Sequence, residues 1–268
     1  MIPLLRPANP PLREWQGRRV WLIGGSSGIG AALAEQLAAA GALLILSARQ
    51  PAPLAAVAAR CRDAITLPLD ITQPESVTAA LAQLQQRAIA LDVVVINAGT
   101  YQPLHATELT PETIRATLNT NLLGVLDSVA ILLPTLLQQG SGHLVLVGSV
   151  AGYIGLPKSL AYGPSKAALI NFAESLYLDL APRGIAVTLV NPGFVATRLT
   201  AQNHFTMPAL LQPEQAATAI MRGLARGQFE IHFPRRFTLF LKLLRLLPYR
   251  LWFALAARLT GDHDAQSR

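Results

Sequence analysis

From Arg18 onward, the hydrophobic residues of the chain follow two alternating patterns. Short runs such as VWLI, LLIL, VVVI and LVLV are apolar at every position, which predicts strands buried on both faces. The longer segments between them repeat apolar residues every three or four positions and predict helices. Buried strands that alternate with helices are typical of a parallel sheet covered on both sides. We therefore predict an α/β fold, with one doubly wound domain and a parallel sheet of about seven strands.

Proline and capping residues predict where helices begin and how the chain is divided. Thr110-Pro111 predicts the start of a long helix that reaches about Gln139, with a bend near Pro134. The capping-box spacing of Thr72 and Glu75 predicts another helix start. We divide the chain into a proline-rich N-terminal arm (residues 1–17), the sheet domain (residues 18–233) and a C-terminal amphipathic helical extension (residues 234–268).

Composition excludes several classes of protein. The chain has 268 residues, 51% of them hydrophobic, and a mean hydropathy of +0.37. The single cysteine, Cys61, excludes an internal disulfide framework and agrees with a reducing compartment. We predict no membrane-spanning helix, because no uncharged apolar run of about 18 residues appears. Prolines interrupt the N-terminal stretch where a signal peptide needs a continuous apolar core, so we expect a cytoplasmic protein.

The junction after the first predicted strand reads IGGSSGIG and is rich in glycine. At this position of a Rossmann-type fold, glycines allow a tight turn and let the backbone approach the pyrophosphate of a dinucleotide. We therefore predict that this turn binds a dinucleotide. The predicted contacts are Gly24, Ser26, Ser27, Gly28, Ile29 and Gly30. An ordinary glycine-rich turn is the alternative interpretation.

The end of the second predicted strand indicates which dinucleotide is bound. It reads Ser47-Ala48-Arg49 and lacks the acidic residue that hydrogen-bonds the ribose of NAD. Arg49 could instead bind a 2′-phosphate through two parallel hydrogen bonds. We therefore predict a preference for NADP(H) over NAD(H). In the alternative interpretation, Arg49 is a solvated loop residue.

Three residues around the fifth predicted strand could carry acid–base chemistry. Ser149 ends that strand, and Tyr162 and Lys166 lie four positions apart, on one face of the helix that follows. An ammonium beside a phenol favours the phenolate and lowers the phenol pKa, which would make Tyr162 a usable general acid or base. Ser149 would hydrogen-bond the same substrate oxygen. A buried tyrosine beside a surface lysine is the alternative interpretation.

Taken together, these motifs resemble those of the short-chain dehydrogenase/reductase family over about Arg18 to Phe233. The resemblance implies that the catalytic residues are Asn121, Ser149, Tyr162 and Lys166, with Asn121 holding a water in a proton relay to the lysine. It also implies cofactor contacts from Asp70, Ile71, Asn97, Ala98, Gly99, Tyr162, Lys166, Pro192, Gly193, Val195 and Thr197. Two positions depart from the family pattern: Ile23 replaces a threonine, and Ile96 replaces an asparagine.

The resemblance implies reversible hydride transfer between a nicotinamide and a carbonyl or secondary alcohol. A dinucleotide-binding sensor or structural module without activity remains an alternative, as does an epimerase or dehydratase that works through a transient ketone. Residues 194–212 should form a lid over the substrate. Its Phe205, Met207, Leu210 and Leu211 favour an apolar substrate, unless they only pack the lid. We assign no metal site, and we interpret His204 and His105 as residues without a catalytic or ligand role.

The same apolar patterns predict how copies of the chain associate. The helices predicted over residues 111–139 and 159–181 are apolar round more of their surface than one sheet-facing side requires. We therefore expect them to pack against their copies in a homodimer or homotetramer, as is common in the family.

The C-terminal extension is basic and apolar at once. It carries Arg235, Arg236, Lys242, Arg245, Arg250 and Arg258, and no acidic residue before Asp262, within a chain of net charge +7. Its leucines and aromatics recur at helical spacing on either side of Pro248, which predicts two short helices. This composition is typical of helices that lie on a membrane surface, here from about Arg235 to Leu259. In the alternative, the tail covers the protein's own core or a neighbouring subunit. Nucleic-acid binding is disfavoured, because the segment is too apolar.

Overall fold

A seven-stranded parallel sheet forms the centre of the computed structural model, which describes residues 6–203 and 207–260. The strands are β1 (Arg19–Ile23), β2 (Leu43–Ser47), β3 (Ile65–Thr66), β4 (Val93–Ile96), β5 (Gly142–Val147), β6 (Ile185–Pro192) and β7 (Glu230–Phe233). They lie in the order β3-β2-β1-β4-β5-β6-β7, so the strand order reverses between β1 and β4. The predicted doubly wound α/β fold is confirmed.

Helices cover both faces of this sheet. They are α1 (Gly28–Ala39), α2 (Pro51–Ala58), α3 (Pro74–Gln86), α4 (Pro111–Leu118), α5 (Gly124–Gln139), α6 (Tyr162–Leu180), α7 (Pro213–Ala225), α8 (Arg235–Leu244) and α9 (Tyr249–Thr260). One face packs against α1, α2 and α7, and the opposite face packs against α3, α5 and α6. Because side chains alternate along a strand, Leu22 lies in the first of these cores and Trp21 in the second.

The starts of α4 and α3 test the capping predictions. The Thr110 hydroxyl accepts a hydrogen bond from the Thr113 amide at 3.3 Å, and Pro111 follows as the first residue of α4, as predicted. The capping box predicted for Thr72 and Glu75 is wrong, because Gln73 is the residue that precedes α3. The Thr72 hydroxyl instead donates to the Asp70 carboxylate at 2.8 Å, so a local turn takes the group that the cap would need.

The long helix predicted to end at Gln139 is interrupted in the middle. A π-helical turn spans Asn119–Leu123 between α4 and α5, and Pro134 lies inside α5. Together these segments, Pro111–Gln139, are long and apolar enough to cross a membrane by length and composition alone. Val129 and Leu132 nevertheless pack in the sheet core, as expected of a helix in a globular domain.

Both ends of the described chain pack on the sheet domain. Asn9, in the N-terminal arm, donates to the Val187 carbonyl at 2.8 Å and accepts from the Val187 amide at 3.2 Å, which joins the arm to β6. At the other end, α8 and α9 are the two helices predicted on either side of Pro248. Buried residues of both helices, Leu241, Leu244 and Trp252, pack against Val150 and Tyr153 in the turn after β5.

Candidate active site

The glycine turn after β1 lies beside the end of β4, at the point where the strand order reverses. Gly24 has a φ of +94°, and a Cβ there would lie 2.5 Å from the Ala98 amide nitrogen. A Cβ at Gly30 would lie 2.1 Å from the Gly24 carbonyl oxygen, which also accepts a hydrogen bond from Asn97 Nδ2 at 2.9 Å. These glycines are required because the turn, α1 and the end of β4 approach more closely than a side chain allows. Ligands of open α/β sheets bind in the crevice at such a reversal.

Gly28 opens this turn toward the loop after β6. It has a φ of +55°, and a Cβ there would lie 2.9 Å from the Thr197 methyl carbon. The adjacent cavity of about 450 Å³ is lined by Gly28, Ala196, Thr197, Arg198, Thr200, Ala201, Met207, Leu210 and Pro213. Ser26 is half-buried and Ser27 is exposed as the residue that precedes α1. The cavity therefore combines the start of a helix with an arginine, which suits the phosphates of a dinucleotide.

The ends of β2 and β3 place the residues expected near the adenosine. Arg49 is exposed beyond β2, whereas Ser47 is fully buried and its hydroxyl accepts a hydrogen bond from the Trp21 indole at 2.9 Å. Asp70 accepts hydrogen bonds from the Thr72 amide and hydroxyl at 2.9 and 2.8 Å. Ile71 has its side chain in the core. Arg49 is therefore the charged group of this edge that faces solvent, and Ile71 can offer a ligand only its backbone.

Ser149, Tyr162 and Lys166 meet at the carboxyl ends of β5 and β4. Ser149 follows β5, its hydroxyl oxygen accepts the Ala151 amide at 3.1 Å, and it hydrogen-bonds the Tyr162 phenol. Tyr162 is the first residue of α6. The Lys166 amine lies 5.8 Å from the centre of the Tyr162 ring and donates to the Val147 carbonyl at 2.9 Å. The sequence prediction that these side chains share one site agrees with this geometry.

Burial has a larger effect on the pKa values of Tyr162 and Lys166 than the attraction between the two side chains. It raises the pKa of Tyr162, a shift that the hydrogen bond from Ser149 opposes. It also lowers the pKa of Lys166 to about 8. The expectation that Lys166 lowers the pKa of Tyr162 is therefore wrong for this structure, because desolvation outweighs the charge of an amine that lies 5.8 Å from the ring centre. Tyr162 keeps its proton at neutral pH.

Asn121 lies in the π-helical turn and holds the end of β4. Its side chain accepts from the Thr100 amide at 2.7 Å and donates to the Thr100 carbonyl at 2.8 Å. A Cβ at Gly99 would lie 3.3 Å from Asn121 Oδ1 and 3.8 Å from the Lys166 amine. The extra residue of a π-helical turn thus places the amide beside the segment that faces Lys166.

The loop after β6 closes the site from the side of the C-terminal helices. The Gly193 amide donates to the Phe233 carbonyl at 2.7 Å. Pro192 ends β6, and Val195 is buried and pairs with Leu211 through a short bridge. Of the residues expected to contact nicotinamide here, Val195 can do so only through its backbone, whereas Thr197 faces the cavity beside Gly28.

The family model of the short chain dehydrogenases matches residues 18–207. The chain belongs to this family. This short-chain dehydrogenase is 35% identical over 252 residues to an uncharacterized oxidoreductase of Myxococcus xanthus, which covers 92% of the chain and 100% of the relative. It is also 35% identical over 204 residues to human dehydrogenase/reductase SDR family member 7, covering 69% of the chain and 60% of that protein.

Solved structures agree with the assignment. A short-chain dehydrogenase from Streptomyces avermitilis superposes with a TM-score of 0.76 at 29% identity, over 91% of the chain and 96% of that structure. A family member from Burkholderia phymatum, solved with NAD, gives a TM-score of 0.78 at 23% identity, over 87% and 94% of the two chains. The short-chain dehydrogenase described here is therefore an oxidoreductase of CH–OH and C=O groups that uses a nicotinamide dinucleotide. The alternative of a binding module without activity is not favoured.

Tyr101, which was not among the predicted site residues, lies against the candidate catalytic tyrosine of this short-chain dehydrogenase. The two rings meet edge to face with centres 5.0 Å apart and an angle of 76°. The Tyr101 hydroxyl donates to Asn203 Oδ1 at 3.0 Å, and burial raises its pKa. The available signal was an aromatic residue two positions after Gly99, at the edge of the sheet where the site forms. Phe205 and His204 lie outside the described residues.

Proposed function

We propose that this oxidoreductase interconverts a carbonyl and a secondary alcohol with NADP(H), and that Tyr162 is its general acid and base. The observation that carries the proposal is the meeting of Tyr162 with Ser149 and Lys166 at one edge of the sheet. A bound nicotinamide dinucleotide supplies the hydride or accepts it. The protein supplies the proton, the orientation and the electrostatics.

In the direction of reduction, a protonated phenol is the form that the chemistry needs. Tyr162 keeps its proton because its pKa is raised, and it donates that proton to the carbonyl oxygen as negative charge develops there. Ser149 hydrogen-bonds the same oxygen and fixes its position. Lys166 would hold the ribose of the nicotinamide, and Asn121 would order the water that returns a proton to the site. The same residues can serve the reverse reaction, because a catalyst speeds both directions and the ratio of oxidised to reduced cofactor sets the net one.

The preference for NADP(H) rests on Arg49. Its guanidinium is exposed at the end of β2, and the neighbouring Ser47 points inward. The strand end, Ser47-Ala48-Arg49, has no carboxylate that would repel a 2′-phosphate. Arg49→Asp should reverse the preference, because it adds repulsion as it removes attraction. Fluorescence titration with NADPH and NADH measures both affinities. Arg62→Asp, in an exposed turn before β3, is the matched control and should leave the ratio unchanged. Tighter binding of NADH by the unaltered protein would contradict the proposal.

We also propose an apolar substrate. The lid loop after β6 carries Met207, Leu210 and Leu211, which are apolar and would lie over the substrate. The test is consumption of NADPH with a panel of ketones, aldehydes and quinones that differ in polarity. Turnover of apolar carbonyls in preference to sugars or hydroxy acids is the expected result. Isomerisation without net consumption of cofactor would instead identify an epimerase.

The outer face of the C-terminal helices supports a proposal of peripheral contact with the cytoplasmic face of a membrane. Leu241, Leu244 and Trp252 point inward, and the opposite side of α8 and α9 still exposes large apolar residues. These are Leu239, Phe240, Leu243, Leu246, Tyr249, Leu251 and Phe253. The exposed Arg235, Arg236, Arg250 and Arg258 accompany them. We call these residues the outer tail face.

Charge decides between the partners that this face could take. The outer tail face has no acidic residue, so a symmetric contact with a second copy would bring arginines against arginines. An anionic lipid surface offers the complementary charge, at about 1 kcal/mol for each basic residue near it. We therefore assign the outer tail face to anionic lipid. A chain shortened to end at Phe233 is not a suitable test. The inner side of α8 and α9 covers Val150 and Tyr153, and the shortened chain would expose both residues.

Co-sedimentation of the full chain with vesicles tests the assignment. We expect binding to phosphatidylserine vesicles at low salt, weaker binding to phosphatidylcholine vesicles, and release at high salt. Arg236→Gln/Arg250→Gln and Leu243→Ser should each weaken binding, because these side chains are exposed and their loss leaves the inner packing intact. If the full chain stays in the supernatant with anionic vesicles at low salt, the membrane proposal fails.

A further inference from the structure

A partly buried ion pair joins α8 to the sheet on the inner side of the tail. Glu230, the first residue of β7, pairs with Lys242 of α8, and their side chains are 23% and 35% exposed. Glu230 also accepts hydrogen bonds from Asn191 Nδ2 at 2.9 Å and from the Tyr153 hydroxyl. These hydrogen bonds and Lys242 hold the pKa of Glu230 below its usual value, against the effect of burial. A charged carboxylate is thus fixed beneath the tail.

Two basic residues of the tail converge on Tyr153. The Lys242 ammonium lies 5.2 Å from the centre of the Tyr153 ring, and the Arg245 guanidinium donates to the Tyr153 carbonyl oxygen. Tyr153 is only 7% exposed. The ring, the hydroxyl and the backbone of this residue are therefore all held by groups outside its own turn.

Tyr153 ends the turn that begins at Ser149. The Tyr153 amide donates to the Val150 carbonyl at 3.0 Å, and the Ala151 amide donates to the Ser149 hydroxyl oxygen at 3.1 Å. A Cβ at Gly152 would lie 2.7 Å from the carbonyl carbon and oxygen of Lys166. The turn is packed tightly between the helix that carries Lys166 and the tail that carries Lys242.

The same carboxylate reaches the other wall of the site. Asn191, which donates to Glu230, immediately precedes Pro192 and Gly193. A Cβ at Gly193 would lie 3.2 Å from atoms of Phe233, Pro234 and Phe237, so this segment also abuts the start of α8. Glu230 thus joins three segments: the turn after β5, the end of β6 and the tail.

We propose that Glu230 and Lys242 are positioning residues that hold the Ser149 turn in its reactive geometry through Tyr153, so that the docked tail is required for full turnover. The inference rests on the proposed role of Ser149. The physical reason is that removal of one partner of a partly buried ion pair leaves the other charge uncompensated, and the structure relaxes to solvate it. That relaxation releases Tyr153, and a displacement of a catalytic group by about 1 Å can cost a hundredfold in rate.

The test compares variants of Lys242 in the full-length protein. Lys242→Met keeps the apolar stem of the side chain and removes the charge, and Lys242→Arg keeps the charge. We expect Lys242→Met to lower kcat between about tenfold and a hundredfold for a ketone that the enzyme reduces, with NADPH affinity within about twofold of the unaltered protein. Lys242→Arg should recover most of the loss. Arg222→Met, at an exposed position on α7, is the matched control and should leave kcat unchanged.

A second measurement does not depend on activity. Hydrogen exchange of the peptide that covers residues 148–156 should be faster in Lys242→Met than in the unaltered protein, because the turn has lost its outer support. Glu230→Gln/Lys242→Met removes both charges, so neither partner is left as an uncompensated charge that could destabilise the fold. This double variant should still show faster exchange of the same peptide than the unaltered protein. Unchanged exchange, or kcat and KM equal to those of the unaltered protein in a fully folded Lys242→Met, would overturn the proposal. If Tyr162→Phe leaves turnover unaffected, the proposed function fails, yet the exchange result still decides whether the tail holds the turn.

Discussion

Burial of single side chains sets the protonation states on which this protein depends. Desolvation raises the pKa of Tyr162, so the phenol keeps its proton, and lowers the pKa of Lys166 to about 8, so the amine loses its proton more easily than a free lysine. A third buried group, His143, has its pKa lowered to about 4 by desolvation and by the charge of Arg18. The first two residues concern chemistry, and the third concerns stability.

Tyr162→Phe should separate proton transfer from binding. The ring and its contact with Tyr101 remain, whereas the hydroxyl that donates the proton is lost. We expect kcat to fall between about a hundredfold and ten-thousandfold. Cofactor affinity by fluorescence titration should change little. Tyr177→Phe, on the same helix but hydrogen-bonded to the Ala8 carbonyl, is the control and should keep its activity. A Tyr162→Phe enzyme within a few-fold of the unaltered one would disprove the assignment.

His143 predicts a loss of stability in mild acid. Its ring nitrogen is 2.8 Å from the Thr188 hydroxyl oxygen in the sheet core. The unfolded chain protonates this histidine near pH 6.5 and the folded protein only near pH 4, so the unfolded state binds more protons between these values. Above pH 6.5 the histidine is neutral in both states and does not lower stability. As the pH drops to 4, the free energy of unfolding falls by about 3 kcal/mol on its account. Urea unfolding of the protein and of His143→Gln across this range should show a smaller acid loss for the variant. Equal slopes would contradict the prediction.

At the scale of elements, the turn after β5 depends on close approach to its neighbour. Gly152 faces the backbone of α6, whereas Gly155, three residues later, is in the same segment but has open space around it. Packing against α6 therefore requires a glycine at position 152 and places no such requirement on position 155.

Gly152→Ala and Gly155→Ala form a matched pair that tests this difference. The added Cβ at Gly152 would lie 2.7 Å from the Lys166 carbonyl, which forces the turn away from α6, and we expect a loss of about 1–3 kcal/mol in unfolding free energy. Among the residues that the structure describes, no atom lies within 4 Å of a Cβ at Gly155, so that variant should unfold at or slightly above the original temperature. Calorimetry measures both. A larger loss at Gly155 would refute the explanation.

At the scale of the whole molecule, large apolar residues remain exposed on the sides of α5 and α6 that turn away from the sheet, next to polar ones such as Glu174 and Asp179. Leu137 on α5 and Leu178 on α6 are exposed, and Leu178 keeps 69% of its surface in contact with solvent. An apolar side chain as exposed as Leu178 is available for contact with a second copy of the chain. We therefore expect two or four copies of the chain to pack through α5 and α6.

Light scattering at micromolar concentration tests this assembly. We expect a mass of two or four chains for the unaltered protein, and of one chain for Leu178→Glu, because a buried unpaired carboxylate opposes association. Leu246→Glu changes a leucine on the outer tail face that is even more exposed, and it should leave the mass unchanged. A monomeric mass for the unaltered protein would exclude the assembly.

The sequence by itself determined the order of strands and helices, because fully apolar strand runs and helical periodicity are local signals. It also supplied Thr110 as a cap and the glycines of the turn after β1, whose residue types report a backbone requirement directly. It could not determine that Thr72 donates to Asp70, since two polar partners compete within one turn. The direction of the Tyr162 pKa shift could not be predicted from the sequence either, because desolvation depends on how the surrounding fold buries the phenol. Only the tertiary structure placed Glu230, Tyr153 and Lys242 together, since residues far apart in the chain become neighbours only when α8 packs on the sheet.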